Sequence, residues 1–270
     1  MDIKTISQHK EIWLVVWSET STIGKAAEHA LLKNFNIIKT SKEKKEWERI
    51  YLDITDTKSI TWFIQNFLQK YPWKKIQVLF LNAGNMILWD TLHRWNFFRR
   101  SNEGDKNINT HIYNLVLVES LERANIIDKD TKIIYNASTQ IFEARAWFED
   151  YAKLKSMVTN ILLSDDMLDI TILALSLVEW SHMAKEFEKI IKEKWEDIAS
   201  YIKKNMPEWQ PTNDQITYIT EKIIENKEAT KGKIVCLDWW RIKSLDIDIP
   251  EECIYFNEKT NTFVPISKKI

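Results

Sequence analysis

Seven short runs rich in β-branched and other apolar residues, each followed by a longer stretch of different rhythm, constrain what this chain can fold into. The runs are "IWLVVW" (12–17), "NIIKT" (36–40), "RIYLDI" (49–54), "IQVLFLNAG" (76–84), "KIIYNAS" (132–138), "DITILALSL" (169–177) and "KIVCLD" (233–238). Between them lie "GKAAEHALLKNF", "TKSITWFIQNFLQKY", "NTHIYNLVLVESLERANI", "YAKLKSMVTNILLS" and "NDQITYITEKIIEN", whose apolar residues recur three and four apart. Period two or continuous apolarity marks strands, and the three-to-four spacing marks helices. Strands without an exposed face, joined by helices, predict a parallel sheet covered on both sides.

Seven strands alternating with helices predict an α/β, doubly wound, Rossmann-type fold with a seven-stranded parallel sheet. With 270 residues, 44% of them hydrophobic, the chain is expected to form a single domain over 1–270. The polar helical stretch at about 181–211 breaks the rhythm and reads as a lid inserted after the sixth strand. Residues from about 243 to 270 read as a C-terminal extension. A net charge of −1 with interleaved Lys and Glu gives no footprint for nucleic acid. Two cysteines fit a reducing cytoplasm rather than a disulfide framework. The sequence carries no apolar run of the roughly 20 residues that span a bilayer, and "MDIKTISQHK" lacks a signal-peptide core. A soluble, cytoplasmic protein is expected. The five His are scattered without ligand spacing, so no metal site is expected.

Ligands of such sheets bind at the carboxyl ends of the strands. After the first strand comes "WSETSTIGK", where Trp17, Ser18, Thr22, Ile23 and Gly24 form the candidate pyrophosphate turn ahead of a helix N-terminus. "LDITD" offers Asp53 and Ile54 for an adenine, although a helix cap at Thr55 or Asp56 reads equally well. Asn82, Ala83 and Gly84 end the fourth run in small residues, suited to a flat ring lying on backbone or to a plain turn. Ser138 ends the fifth. Thirteen residues later stands "YAKLK", with Tyr151 and Lys155 one helical turn apart. An ammonium beside a phenol favours the phenolate, and a serine hydroxyl can bind a substrate oxygen.

These motifs in this order resemble the short-chain dehydrogenase/reductase family over about residues 10–242, with similarity to 3-oxoacyl-[acyl-carrier-protein] reductases around "MPEWQPTNDQI". The resemblance implies Tyr151 as proton donor, Ser138 as carbonyl anchor, Lys155 on the nicotinamide ribose and lowering the Tyr151 pKa, and Asn109 holding a water in the proton relay. It also implies nicotinamide contacts at Val178 and Ser181, a homotetramer or dimer built on the helices carrying Asn109 and Tyr151, and a place in fatty acid biosynthesis.

The chain departs from the family where glycines belong. It has 13 Trp and only 4 Gly, against roughly 19 Gly at the usual 7%. Trp17 stands at the first glycine of the pyrophosphate turn. Trp239 and Trp240 follow the last strand's Asp238, where the family has Asp-Gly-Gly. Trp73, Trp89, Trp147 and Trp209 stand in loop contexts. An indole at 17 would fill the space of a pyrophosphate. The expectation is that many of these are glycine codons read as tryptophan, since some bacterial lineages assign UGA to glycine. A decayed reductase with a blocked cleft is the competing reading.

The second run ends in Thr40, Ser41 and Lys42 with no acidic residue to bind ribose hydroxyls, which favours NADP(H) over NAD(H). The sequence therefore predicts a hydride-transferring oxidoreductase for a carbonyl or alcohol, with a small molecule or a 3-oxoacyl thioester as substrate. A non-catalytic dinucleotide-binding sensor or scaffold on the same fold is the alternative.

Overall fold

The computed structural model describes residues 12–16, 22–31, 36–41, 50–83, 101–142, 149–175, 211–244 and 247–266, with 13, 15, 31, 101–110, 149, 150 and 241 as backbone alone. In chain order the elements are β1 (Ile12–Val16), α1 (Thr22–Leu31), β2 (Asn36–Ser41), β3 (Ile50–Tyr51), α2 (Thr57–Lys70), β4 (Ile76–Leu81), α3 (Ser101–Arg123) and β5 (Lys132–Ser138). There follow α4 (Glu149–Leu163), β6 (Asp169–Leu175), α5 (Asn213–Glu225), the single turn α6 (Lys227–Thr230), β7 (Lys233–Cys236), α7 (Trp239–Ser244), β8 (Cys253–Asn257) and β9 (Thr262–Pro265).

Every described strand joins one sheet in the order β3-β2-β1-β4-β5-β6-β7-β8-β9. All pairs are parallel except β8 with β9. The first seven strands run as the sequence predicts. The count does not stop there, because the C-terminal extension adds a parallel strand and an antiparallel edge strand. Its "CIYFN" and "TFVP" are short β-prone runs joined by a turn that ends on Asn261, at φ 53°. Asn tolerates that left-handed conformation better than most side chains.

Two apolar layers cover the sheet because successive strand residues point to opposite faces. Ile133, Tyr135 and Ala137 of β5 pack with Phe63 and Phe67 of α2, Leu117 and Leu121 of α3, and Val158 and Leu162 of α4. Ile134 faces the other way, toward the layer containing Ala26 and Ala27 of α1 and Ile216, Ile219 and Ile223 of α5. At the amino ends of β5 and β6, the fully buried Lys132 Nζ donates to Asp169 Oδ1 at 2.7 Å and to the Lys227 carbonyl at 3.2 Å.

The third run is much shorter than expected: only Ile50–Tyr51 pair with β2, and the chain then turns through Asp53. Asp56 caps α2 by accepting from the Lys58 amide, one of the two readings left open for this segment. α3 begins at Ser101, a full two turns earlier than the apolar spacing suggests. Residues 181–210 of the expected lid lie outside the described residues. Among the described residues, no helix is long and apolar enough to cross a membrane.

Candidate active site

The strand order reverses between β1 and β4, and the crevice such a reversal opens lies at the carboxyl ends of the strands. Ser138 closes β5 at that end. Its extended backbone (φ −141°, ψ 150°) hands over to a 3₁₀ turn at Thr139–Ile141, and its Oγ accepts from the Gln140 amide at 3.3 Å. The same hydroxyl lies within hydrogen-bonding reach of the Tyr151 phenol.

Helix α4 carries both Tyr151 and Lys155, so their four-residue spacing puts them on one face. Lys155 is buried at 4% exposure, and its Nζ donates to the Asn136 carbonyl at 2.5 Å. That nitrogen stands 4.7 Å from the centroid of the Tyr135 ring and 5.9 Å from that of Tyr151. The electrostatics differ from the sequence expectation. Burial pushes the Tyr151 phenol up to about 12, with the Ser138 hydrogen bond opposing it. Burial also pushes the Lys155 ammonium down to about 7. Desolvation of the charged forms outweighs the attraction of ammonium for phenolate, so here the serine, not the lysine, favours the phenolate.

Four residues that the motifs did not mark complete the surroundings. Buried His111 of α3 meets Tyr151 edge to face, with ring centroids 5.4 Å apart and planes at 75°. Asn114 Nδ2 donates to the Ala83 carbonyl at 2.8 Å and to the His111 carbonyl at 3.2 Å, tying α3 to the end of β4. Asn136 Nδ2 donates to Asn82 Oδ1 at 2.7 Å, joining β5 to the same place. Tyr135, wholly buried, lies beneath Lys155. None of them carries a local signal: each is defined by packing between elements far apart in sequence.

The remaining predicted positions divide cleanly. Thr22, Ile23 and Gly24 open α1, with Gly24 buried. Ser41 is buried at the end of β2, and its carbonyl accepts from the Leu52 amide. The Asp53 carboxylate is engaged locally, its Oδ1 accepting from the Thr55 amide at 2.9 Å and the Thr55 hydroxyl at 2.7 Å. Ile54 is buried within the core. Asn82 and Ala83 are buried at the carboxyl end of β4. Asn109 falls on α3 in the backbone-only stretch, and Trp17, Ser18, Lys42, Gly84, Val178 and Ser181 lie outside the described residues.

Two sets of tryptophans behave differently. Trp73 is fully exposed and holds φ at 65°, a conformation that favours glycine. Trp239 opens α7 and stacks on Tyr255 with centroids 4.2 Å apart. With Trp240 it lines a cleft of about 460 Å³ at the carboxyl ends of β7 and β8. Among the described residues, no group of three His, Cys, Asp or Glu side chains could hold a metal ion.

The fold is that of solved short-chain dehydrogenases and reductases. An aldohexose dehydrogenase from Thermoplasma acidophilum aligns with TM-score 0.67 at 16% identity, over 90% of this chain and 98% of that one. A short-chain dehydrogenase family protein from Francisella tularensis aligns with TM-score 0.64 at 18% identity, over 84% and 97%. An actinorhodin polyketide ketoreductase variant, solved with NADPH, aligns with TM-score 0.66 at 15% identity, over 85% and 96%. No protein-family model and no curated protein matches the sequence.

Proposed function

We propose that the chain is a nicotinamide-dependent oxidoreductase of the short-chain dehydrogenase/reductase family, acting on a carbonyl or the corresponding alcohol. The observation that carries this reading is the meeting of Ser138, Tyr151 and Lys155 at the carboxyl end of β5. The donor set suits a nicotinamide riboside: an ammonium and two hydroxyls, with Asn136 Oδ1 and Tyr135 Oη buried beside them and unpartnered among the described residues. When bound, that group supplies or accepts the hydride. Lys155 would hold the ribose, and Asn82 and Ala83 would face the dinucleotide from β4.

Ser138 orients the substrate oxygen and the Tyr151 phenol. Tyr151, protonated at neutral pH because burial holds it near 12, donates its proton to that oxygen as the carbonyl is reduced. Such general acid catalysis contributes on the order of 10² to 10⁴ in rate. Burial keeps the neighbouring Tyr135 neutral, and His111 packs edge to face on the Tyr151 ring.

NADP(H) is the favoured cofactor, with Ser41 and Lys42 at the 2′-phosphate and Trp17, Ser18, Thr22, Ile23 and Gly24 at the pyrophosphate. Asp53 and Ile54 would border the adenine, Gly84 the dinucleotide, Val178 and Ser181 the carboxamide, and Asn109 the relay water. A 3-oxoacyl thioester is the first substrate to test. Assembly through α3 and α4 is supported by Met157 and Ile161, exposed on α4 at 39% and 47%. The glycine reading of the tryptophans is favoured at Trp73 by its left-handed backbone and full exposure; at Trp239 the stacking on Tyr255 weighs the other way.

The test is NADPH oxidation with acetoacetyl thioesters, run on the chain as written beside a version carrying Trp17→Gly, Trp239→Gly and Trp240→Gly. Turnover in the glycine version is expected. Two inert proteins that also fail to bind NADPH would overturn the reading.

A further inference from the structure

Lys155 is held in a site that discourages its charge, and Tyr135 is the neighbour arranged to offset that. The ammonium stands 4.7 Å from the Tyr135 ring centroid, inside the roughly 6 Å reach of a cation–π contact. Tyr135 occupies the middle of β5, is wholly buried, and makes no hydrogen bond through its hydroxyl among the described residues. A phenol in the core normally brings its hydroxyl to a partner. Here the ring, rather than the hydroxyl, makes the polar contact.

The other groups facing Lys155 supply little charge. Its own helix presents Tyr151, β5 presents the Asn136 carbonyl, and α3 presents His111 behind the Tyr151 ring. No carboxylate among the described residues pairs with Lys155, and burial is the cause of its depressed pKa. A ring face is negative without carrying a full charge. It therefore stabilises the ammonium without the desolvation a buried carboxylate would add.

We propose that Tyr135 is a positioning residue that favours the ammonium form of Lys155 and aims it at the site through its aromatic face, with no role for its hydroxyl. The catalytic consequence rests on the reading of Lys155 as the ribose-binding ammonium, whereas the electrostatic consequence does not. A ring that stabilises the cation raises the lysine pKa, so removing the ring lowers it.

The experiment replaces Tyr135 by Phe, by Phe of increasing ring fluorination, and by Met. Fluorine withdraws electron density from the ring face at nearly constant shape. For each protein, unfolding free energy is measured from pH 5.5 to 10 beside the same protein carrying Lys155→Met. The difference is flat below the native-state lysine pKa and rises with pH above it, so its break reads that pKa without any need for turnover. Tyr135→Phe should leave the break where it is. Fluorination should move it down stepwise, toward a loss of about one pH unit in Tyr135→Met. A break that stays fixed through the fluorinated series, or one that moves as far in Tyr135→Phe as in Tyr135→Met, overturns the proposal. If the break moves as expected while neither the parent nor its version carrying Trp17→Gly, Trp239→Gly and Trp240→Gly oxidises or binds NADPH, the oxidoreductase reading fails and the role of Tyr135 stands.

Discussion

Replacing Lys155 by Met should make the protein more stable while removing its chemistry, and the size of the gain should depend on pH in a defined way. Burial takes the lysine from 10.5 to about 7. Between those values the unfolded chain binds the proton and the folded chain does not, so folding stability of the parent rises with pH across that window. At pH 7 the cost of holding this side chain is about 4 kcal/mol, since each tenfold loss of proton affinity on folding corresponds to roughly 1.4 kcal/mol. Methionine removes that cost but also the hydrogen bond to the Asn136 carbonyl, worth about 0.5–1.5 kcal/mol for the neutral amine. A net stabilisation of about 3 kcal/mol at pH 7 is expected. By pH 9 the parent has recovered about 2 kcal/mol, which leaves a gap of about 1 kcal/mol. Chemical denaturation at a series of pH values measures this directly. A difference that is constant from pH 6 to 9.5, or a variant less stable at pH 7 than at pH 9 relative to the parent, would refute the argument.

Three further outcomes are expected. Tyr151→Phe should cut carbonyl reduction by about 10² to 10⁴ while leaving NADPH affinity nearly unchanged; equal loss of binding and turnover in fluorescence titration and steady-state assays would remove its role as acid. Trp73→Gly should stabilise by about 1 kcal/mol, because a fully exposed indole loses no packing and glycine tolerates φ 65°; a lowered Tm would contradict this. Asp169→Ala should cost about 3–5 kcal/mol by leaving Lys132 buried without its carboxylate. The paired change to Lys132→Met and Asp169→Leu should lie close to the parent in denaturant titrations.

The central strands are legible because a buried parallel strand has little choice of composition. "KIIYNAS" corresponds residue for residue to β5. "RIYLDI" reads as one long strand because the turn at Asp53 is made by side-chain hydrogen bonds, the carboxylate accepting from Thr55 and the Asp53 amide donating to Ser59 Oγ, which apolar patterning does not register. The C-terminal strands β8 and β9 do leave a signal, two β-prone runs around "NEKTN", but neither lies in the strand–helix alternation that organises the rest. In the site, Tyr151 and Lys155 declare themselves by spacing on one helix. His111 and Tyr135 do not, since each meets the pair from a different element. The pKa order is likewise illegible: spacing suggests a lysine that lowers a phenol, whereas the dry interface between β5 and α4 disfavours charge on both.

The account stands on one constellation, Ser138 with Tyr151 and Lys155, moving a proton beside a nicotinamide. Its most direct test uses NADPH deuterated at the transferable hydride with an acetoacetyl thioester, followed by mass spectrometry of the product. The account predicts one deuterium on the carbinol carbon, formed by the protein carrying glycine at 17, 239 and 240 and suppressed by Tyr151→Phe. Product that lacks the label, or label transfer that proceeds equally well without the tyrosine hydroxyl, would contradict it.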